Sequence, residues 1–349
     1  MAKKINKDDP YALFDDGMKI KEASRFAQAV PLFMEATRLA RADRELKLDC
    51  LFALADTFRM VGDFSGAAKN YRAAEILALK LNMGERAVDA SVGLALALRA
   101  SGEFKETIRL LNKALRSYRS GDDRLAVAFT LWARAGAYRV KGDVKGALKG
   151  FNESKTLFTR LKDASGVGYS LTGLGGASRV AGDFTASKRY YSSANKVFKE
   201  MRDTFGIAYS YCGLANALRM KGDFKGSGEY FKKAKRNYKK IGDKVSYAYT
   251  LWGEGSLYQQ MGKRAFSIRD FDAAKLLFQE TGDKRGLIYC ELGYAQNEFM
   301  EGKVKEALKR LKRAQKNAQK LALKTEAGYA RVVIRAIKSK PEAMPINLP

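Results

Sequence analysis

The chain has 349 residues, 46% of them hydrophobic, with 65 Lys and Arg against 38 Asp and Glu and no histidine at all. The lack of histidine removes the commonest general base and metal ligand, so enzyme chemistry starts at a disadvantage. A formal charge of +27 attracts nucleic acid, anionic membranes or acidic protein segments, but it carries no information about fold.

Residues 1–10 are polar and basic, with no apolar stretch behind them, which argues against a secretory signal. We expect a flexible N-terminus there, helix from near Tyr11, and a cytoplasmic location. No apolar run is long enough for a membrane span. Cys50, Cys212 and Cys290 are odd in number and lack C-x-x-C spacing, which argues against a disulfide framework or zinc site.

The turn sequence Arg219-Met220-Lys221-Gly222-Asp223-Phe224 sets the register for everything around it. Its glycine recurs as Gly62, Gly102, Gly142, Gly182, Gly222, Gly262 and Gly302, each forty residues after the last. A fixed period of this size signals stacked structural repeats. Phe26, Ala29 and Phe33 mark an imperfect first unit. From about Leu48 each repeat divides at its glycine into two helical halves. Leu51, Leu54, Ala55 and Phe58 follow one helical face before the turn, and Phe64, Ala67, Tyr71 and Ala74 do so after it. The glycine suits the left-handed residue that ends a helix, and Asp63, Asp143, Asp183 and Asp223 suit the cap of the next. Asp123, Asp163, Asp203, Asp243 and Asp283 suit the same role between repeats.

Seven residues before the glycine the column is small: Ala55, Ala95, Ala135, Gly175, Ala215, Gly255 and Ala295. Nine after it stands a large residue: Tyr71, Leu111, Phe151, Tyr191, Phe231, Phe271 and Leu311. Small beside large at one period is how helical hairpins interdigitate. This pattern resembles the tetratricopeptide repeat in a long, forty-residue form, similar to the repeats of spindle-orientation adaptors and bacterial peptide-sensing regulators. The resemblance implies an all-α fold: a right-handed superhelical solenoid of about eight hairpins plus a C-terminal capping helix. The expected organisation is a repeat array over 11–324, a capping helix over 325–340 and an extended tail over 341–349.

The resemblance also implies that the first helix of each hairpin lines a concave groove. The face concerned carries Phe129, Tyr169, Tyr209, Tyr249 and Tyr289 in one column, and Trp132, Cys212 and Trp252 in the next. Asn216 and Gln296 stand on the same face. Aromatic rings and amides in such a groove suit an extended or helical peptide, or stacked bases. The same rings at helical spacing also suit packing against the neighbouring hairpin. Three residues before the glycine stand Arg59, Arg99, Arg139, Arg179 and Arg219. They read in two ways, as an anion-binding ladder or as a structural clamp on the acid one residue after each turn glycine. Every repeat with the arginine has that acid, and the last two repeats lose both, at Gln259 with Lys263 and Phe299 with Lys303.

No phosphate-binding loop, nucleophile elbow or metal cluster is present in the sequence, so no cofactor is expected. The function expected is a non-enzymatic adaptor that binds a partner protein or peptide, acidic in character given the charge. Electrostatic binding of RNA by the basic second helices is the first alternative, and self-assembly through an exposed end hairpin is the second.

Overall fold

The computed structural model describes residues 9–23, 25–321 and 323–339. Of the flexible start expected over 1–10, residues 1–8 lie outside the described residues, as does the tail expected over 341–349, while Asp9 and Pro10 already open the first helix. Among those described the chain is all α, seventeen helices in antiparallel hairpins stacked in order into a superhelical solenoid.

The first unit is short, α1 (Pro10–Glu22) and α2 (Phe26–Leu39), and Pro10 takes the first helical position behind an Asp9 cap. The regular hairpins follow: α3 (Arg44–Val61) with α4 (Phe64–Lys80), α5 (Gly84–Ala100) with α6 (Phe104–Ser120), and α7 (Arg124–Lys141) with α8 (Val144–Arg160). Next come α9 (Ala164–Val180) with α10 (Phe184–Glu200), α11 (Thr204–Met220) with α12 (Phe224–Ile241), and α13 (Lys244–Gln260) with α14 (Arg264–Glu280). The last pair is α15 (Lys284–Met300) with α16 (Val304–Lys320), followed by α17 (Lys324–Lys338).

All seven turn glycines are left-handed, with φ between 71° and 91°. A Cβ costs about 1–2 kcal/mol in that region, which is why glycine recurs there. The aspartates after the turns are side-chain N-caps, unlike Glu103: Asp63 Oδ1 accepts from Gly66 N at 2.8 Å, and Asp223 Oδ1 from Gly226 N at 2.9 Å. Asp123, Asp163, Asp203, Asp243 and Asp283 cap the first helices of the following hairpins in the same way.

Packing repeats with the sequence. The ring of Tyr191 is wedged between two glycines: a Cβ at Gly175 of its own hairpin would lie 2.8 Å from it, and one at Gly213 of the next would collide with it. Phe271 sits between Gly255 and Gly293 in the same manner. A second small column, nine residues before each turn glycine, therefore works with the first, and it runs Ala53, Gly93, Ala133, Gly173, Gly213, Gly253 and Gly293. The large residues they enclose, Phe151, Phe231 and Phe271 among them, are fully buried.

The solenoid coils tightly enough for one coil to rest on the next. Helix α13 packs on α3, and α17 packs on α7 as well as on α15 and α16. At these junctions Gly62 meets Thr281, whose Cγ2 lies 2.7 Å from where a Cβ would be, and Gly142 meets Thr325, whose Oγ1 lies 2.8 Å from such a position. The inner surface of the coil is thereby drawn around a central hollow.

An arginine-lined hollow as the candidate functional site

The hollow has a volume of about 320 Å³ and is lined almost wholly by first helices, α3 through α15. Helices α3, α5, α7 and α9 present their last turns there, set at one fixed place by the turn glycine, whereas α11 lines it from Phe205 to Asn216 and α13 and α15 present their N-terminal halves. Arg59, Arg99, Arg139 and Arg179, three residues before the glycine in four consecutive repeats, all line it.

Arg99 and Arg139 reach forward along the coil, not down across their own turn. The Arg99 guanidinium lies over Gly136 and the Arg139 guanidinium over Gly176, each in the next repeat, in space that a side chain there would fill. Arg99 donates to the Ala133 carbonyl at 3.4 Å and stands 5.9 Å from the Trp132 ring centre. Among the described residues, Arg99, Arg139 and Arg179 have no carboxylate within 4.0 Å. For these three, the clamp expected with Glu103, Asp143 and Asp183 is not formed. The two turn aspartates are committed to the caps of α8 and α10, while Arg99 and Arg139 point toward the following hairpin. Arg59 is 3.9 Å from Asp56, not from Asp63. Arg219, the fifth of the column, is 1% exposed and stands outside the lining.

Sequence reasoning overlooked Arg285, which enters the hollow from the first turn of α15. Its Nε donates to Glu326 at 2.9 Å and its Nη2 to the Tyr289 hydroxyl at 3.2 Å. A signal was present, since seventeen residues before the turn glycine the column reads Glu45, Glu85, Leu125, Ser165, Phe205, Val245 and finally Arg285. Asp243 and Asp283, expected as caps, also face the hollow.

Electrostatics follow from this crowding. Burial, then Arg139, Arg59 and Arg285, push Arg99 down to about 10, and burial and Arg179 push Arg219 down to about 9, so both stay charged at neutral pH. Burial lifts Asp243 to about 6, against its bonds from Ser246 and the nearby Arg59. Asp283 is raised for the same reason, while its bond from Gly286 opposes the shift.

The expected groove residues divide between two places. Tyr209, Cys212, Asn216, Tyr249, Trp252 and Tyr289 line the hollow with the arginines, and Phe129, Trp132, Tyr169 and Gln296 do not. Both tryptophans are fixed between repeats. Trp132 Nε1 donates to the Tyr169 carbonyl at 3.1 Å, and Trp252 Nε1 to the Tyr289 carbonyl at 3.0 Å. Tyr169 donates its hydroxyl to the Asp203 cap at 2.8 Å and packs on Phe198. Gln296 is buried, whereas Phe129 is 40% exposed and stacks on Trp132. Cys212 takes a hydrogen bond from Thr250 at 3.4 Å, and burial raises its thiol above the ordinary range.

The fold has counterparts among solved structures. A Rap protein complexed with competence and sporulation factor aligns over 95% of this chain and 98% of its own, with a TM-score of 0.62 and 15% identity. The Rap conjugation gene regulator of plasmid pLS20, in complex with a Phr peptide, aligns over 91% and 98%, with a TM-score of 0.69 and 13% identity. Aspartyl phosphate phosphatase F from Bacillus subtilis aligns over 82% and 75%, with a TM-score of 0.58 and 12% identity. At these identities the likeness is one of fold, a helical-repeat solenoid. No family model matches the chain. No curated protein matches it either. No helix among the described residues is long and apolar enough to cross a membrane.

Proposed function

We propose that the chain is a tetratricopeptide-type adaptor, without catalysis of its own, that holds a segment of a partner protein or a peptide against its inner wall. The observation that carries this is a division of labour along each first helix. The columns that pack the hairpins repeat strictly, while two columns that reach the hollow change from repeat to repeat: Leu96 and Asn216 in one, Cys212 and Trp252 in another. Packing alone favours repetition, whereas a ligand with its own non-repeating sequence requires such variation. Two solved structures with this fold, at 15% and 13% identity, are complexes with competence and sporulation factor and with a Phr peptide.

The test is selection of displayed random peptides on the purified protein, followed by affinity measurement on Tyr209→Ala/Asn216→Ala. Both positions are half-buried at the hollow, so their loss leaves the packing columns intact. Selected peptides are expected to bind the variant at least about tenfold more weakly, with unchanged circular dichroism. Equal affinity for the variant would place the binding surface elsewhere.

A second reading, RNA binding by the outer surface, is favoured by the exposed cations Lys232, Lys239 and Lys240 on α12 and Lys312, Lys316 and Lys320 on α16. Part of the basic charge is already neutralised, since Arg310 pairs with Glu298 at 2.6 Å and Glu291 at 2.9 Å. Anisotropy of a labelled random RNA at low and physiological salt tests it. Binding lost at physiological salt marks a general surface property.

A further inference from the structure

We infer that the central hollow is a binding site for a compact multivalent oxyanion. Five arginines line it, Arg59, Arg99, Arg139, Arg179 and Arg285, against two carboxylates, Asp243 and Asp283. Both carboxylates already cap helices, accepting from Ser246 N and Gly286 N at 2.9 Å each. Arg285 is matched by Glu326 at 2.9 Å, and Arg59 has Asp56 at 3.9 Å. Arg99, Arg139 and Arg179 are left on one wall without a carboxylate within 4.0 Å among the described residues.

Such an arrangement is unfavourable for an empty hollow. Half-buried cations gathered in one hollow repel one another and lose part of their hydration. Each guanidinium can donate five hydrogen bonds, yet Arg139 Nε and Arg59 Nε are buried without a partner. The glycines at 136 and 176 clear the space that the Arg99 and Arg139 guanidiniums occupy. The planar guanidinium forks are matched to the paired oxygens of phosphate or carboxylate.

The chemistry of the hollow narrows the ligand. Three unmatched cations call for an anion of at least two charges. A volume of about 320 Å³ is at the low end for small-molecule sites, and the overlying coil, through Val245 and Ser246 of α13, completes the lining. Tyr209, Tyr249 and Trp252 offer an aromatic wall for an uncharged portion of the ligand. A polyphosphate group and a cluster of carboxylates share the required chemistry. This site goes beyond peptide capture and does not depend on it.

The experiment is isothermal calorimetry and thermal denaturation of the full chain with pyrophosphate and with citrate, each against sodium chloride of equal ionic strength. At least one anion is expected to bind one to one and raise the melting temperature, and the tighter of the two identifies the source. Arg99→Gln/Arg139→Gln should weaken it at least about tenfold, as loss of charge-assisted bonds would. Asp243→Asn should tighten binding by removing a negative charge, which keeps a positive test available if the double variant does not fold. Lys232→Gln/Lys239→Gln on the outer face should change nothing. No binding beyond the chloride control, binding of acidic peptides but of neither small anion, or equal loss in the outer-face variant would overturn the assignment.

Discussion

The guanidinium of Arg139 lies directly over the α-carbon of Gly176, one repeat further along the coil. Arg99 stands in the same relation to Gly136. An arginine and the glycine that makes room for it therefore belong to different hairpins, and one wall of the hollow is assembled from neighbouring repeats.

Gly176→Ala should uncouple the wall from the fold. The new methyl meets the flexible end of Arg139, which can swing aside, and alanine is favoured in a helix by about 1 kcal/mol. Denaturant unfolding should therefore change by less than about 1 kcal/mol, while anion affinity falls. Gly173→Ala is the contrasting case, because its methyl collides with the fully buried ring of Phe151. Overpacking of that kind costs about 1–3 kcal/mol in the same measurement.

Gly222→Ala tests the turn alone. Nothing lies within 4 Å of its missing Cβ, so the cost is conformational: φ is +83°, and alanine there should lose about 1–2 kcal/mol. Chemical denaturation measures it, and a neutral result would mean that the turn has another backbone solution.

Asp243 makes stability depend on pH. Burial raises its folded pKa to about 6, above the ordinary carboxylate value, so the folded state holds the proton more tightly than the unfolded chain. The contribution is fully present below the unfolded pKa near 4 and is lost as pH rises from about 4 to about 6. Asp243→Asn, which still caps the helix, should remove that fall and stabilise the protein at neutral pH by an amount on the order of 2 kcal/mol. Melting temperatures of both proteins across the pH range decide it.

Trp252→Phe should cost about 1 kcal/mol, because it removes the hydrogen bond to the Tyr289 carbonyl at 3.0 Å and leaves most of the ring's packing. Thermal unfolding reads this directly, with Trp132→Phe as the half-exposed comparison.

The fold was legible because it is written locally. Each turn glycine, each capping aspartate and each small-beside-large pair lies within a hairpin or between adjacent ones, so the spacing in the sequence reports it directly. Trp132 and Trp252 were harder to place, since a ring on the inner face of a helix suits ligand contact and inter-repeat packing equally until its Nε1–H partner is known. Arg285 was missed because it breaks a column instead of repeating one. The stacking of coil on coil, Gly62 on Thr281 and Gly142 on Thr325, pairs residues many repeats apart that no period connects. That stacking is also what turns an open inner surface into a hollow.

The most direct measurement is photo-crosslinking of a selected peptide, with the modified residues located by mass spectrometry. Capture on the inner wall predicts crosslinks on the first helices, at and around Tyr209 and Asn216 of α11 and Tyr249 of α13. Crosslinks confined to the outer faces of α12 and α16 would contradict it.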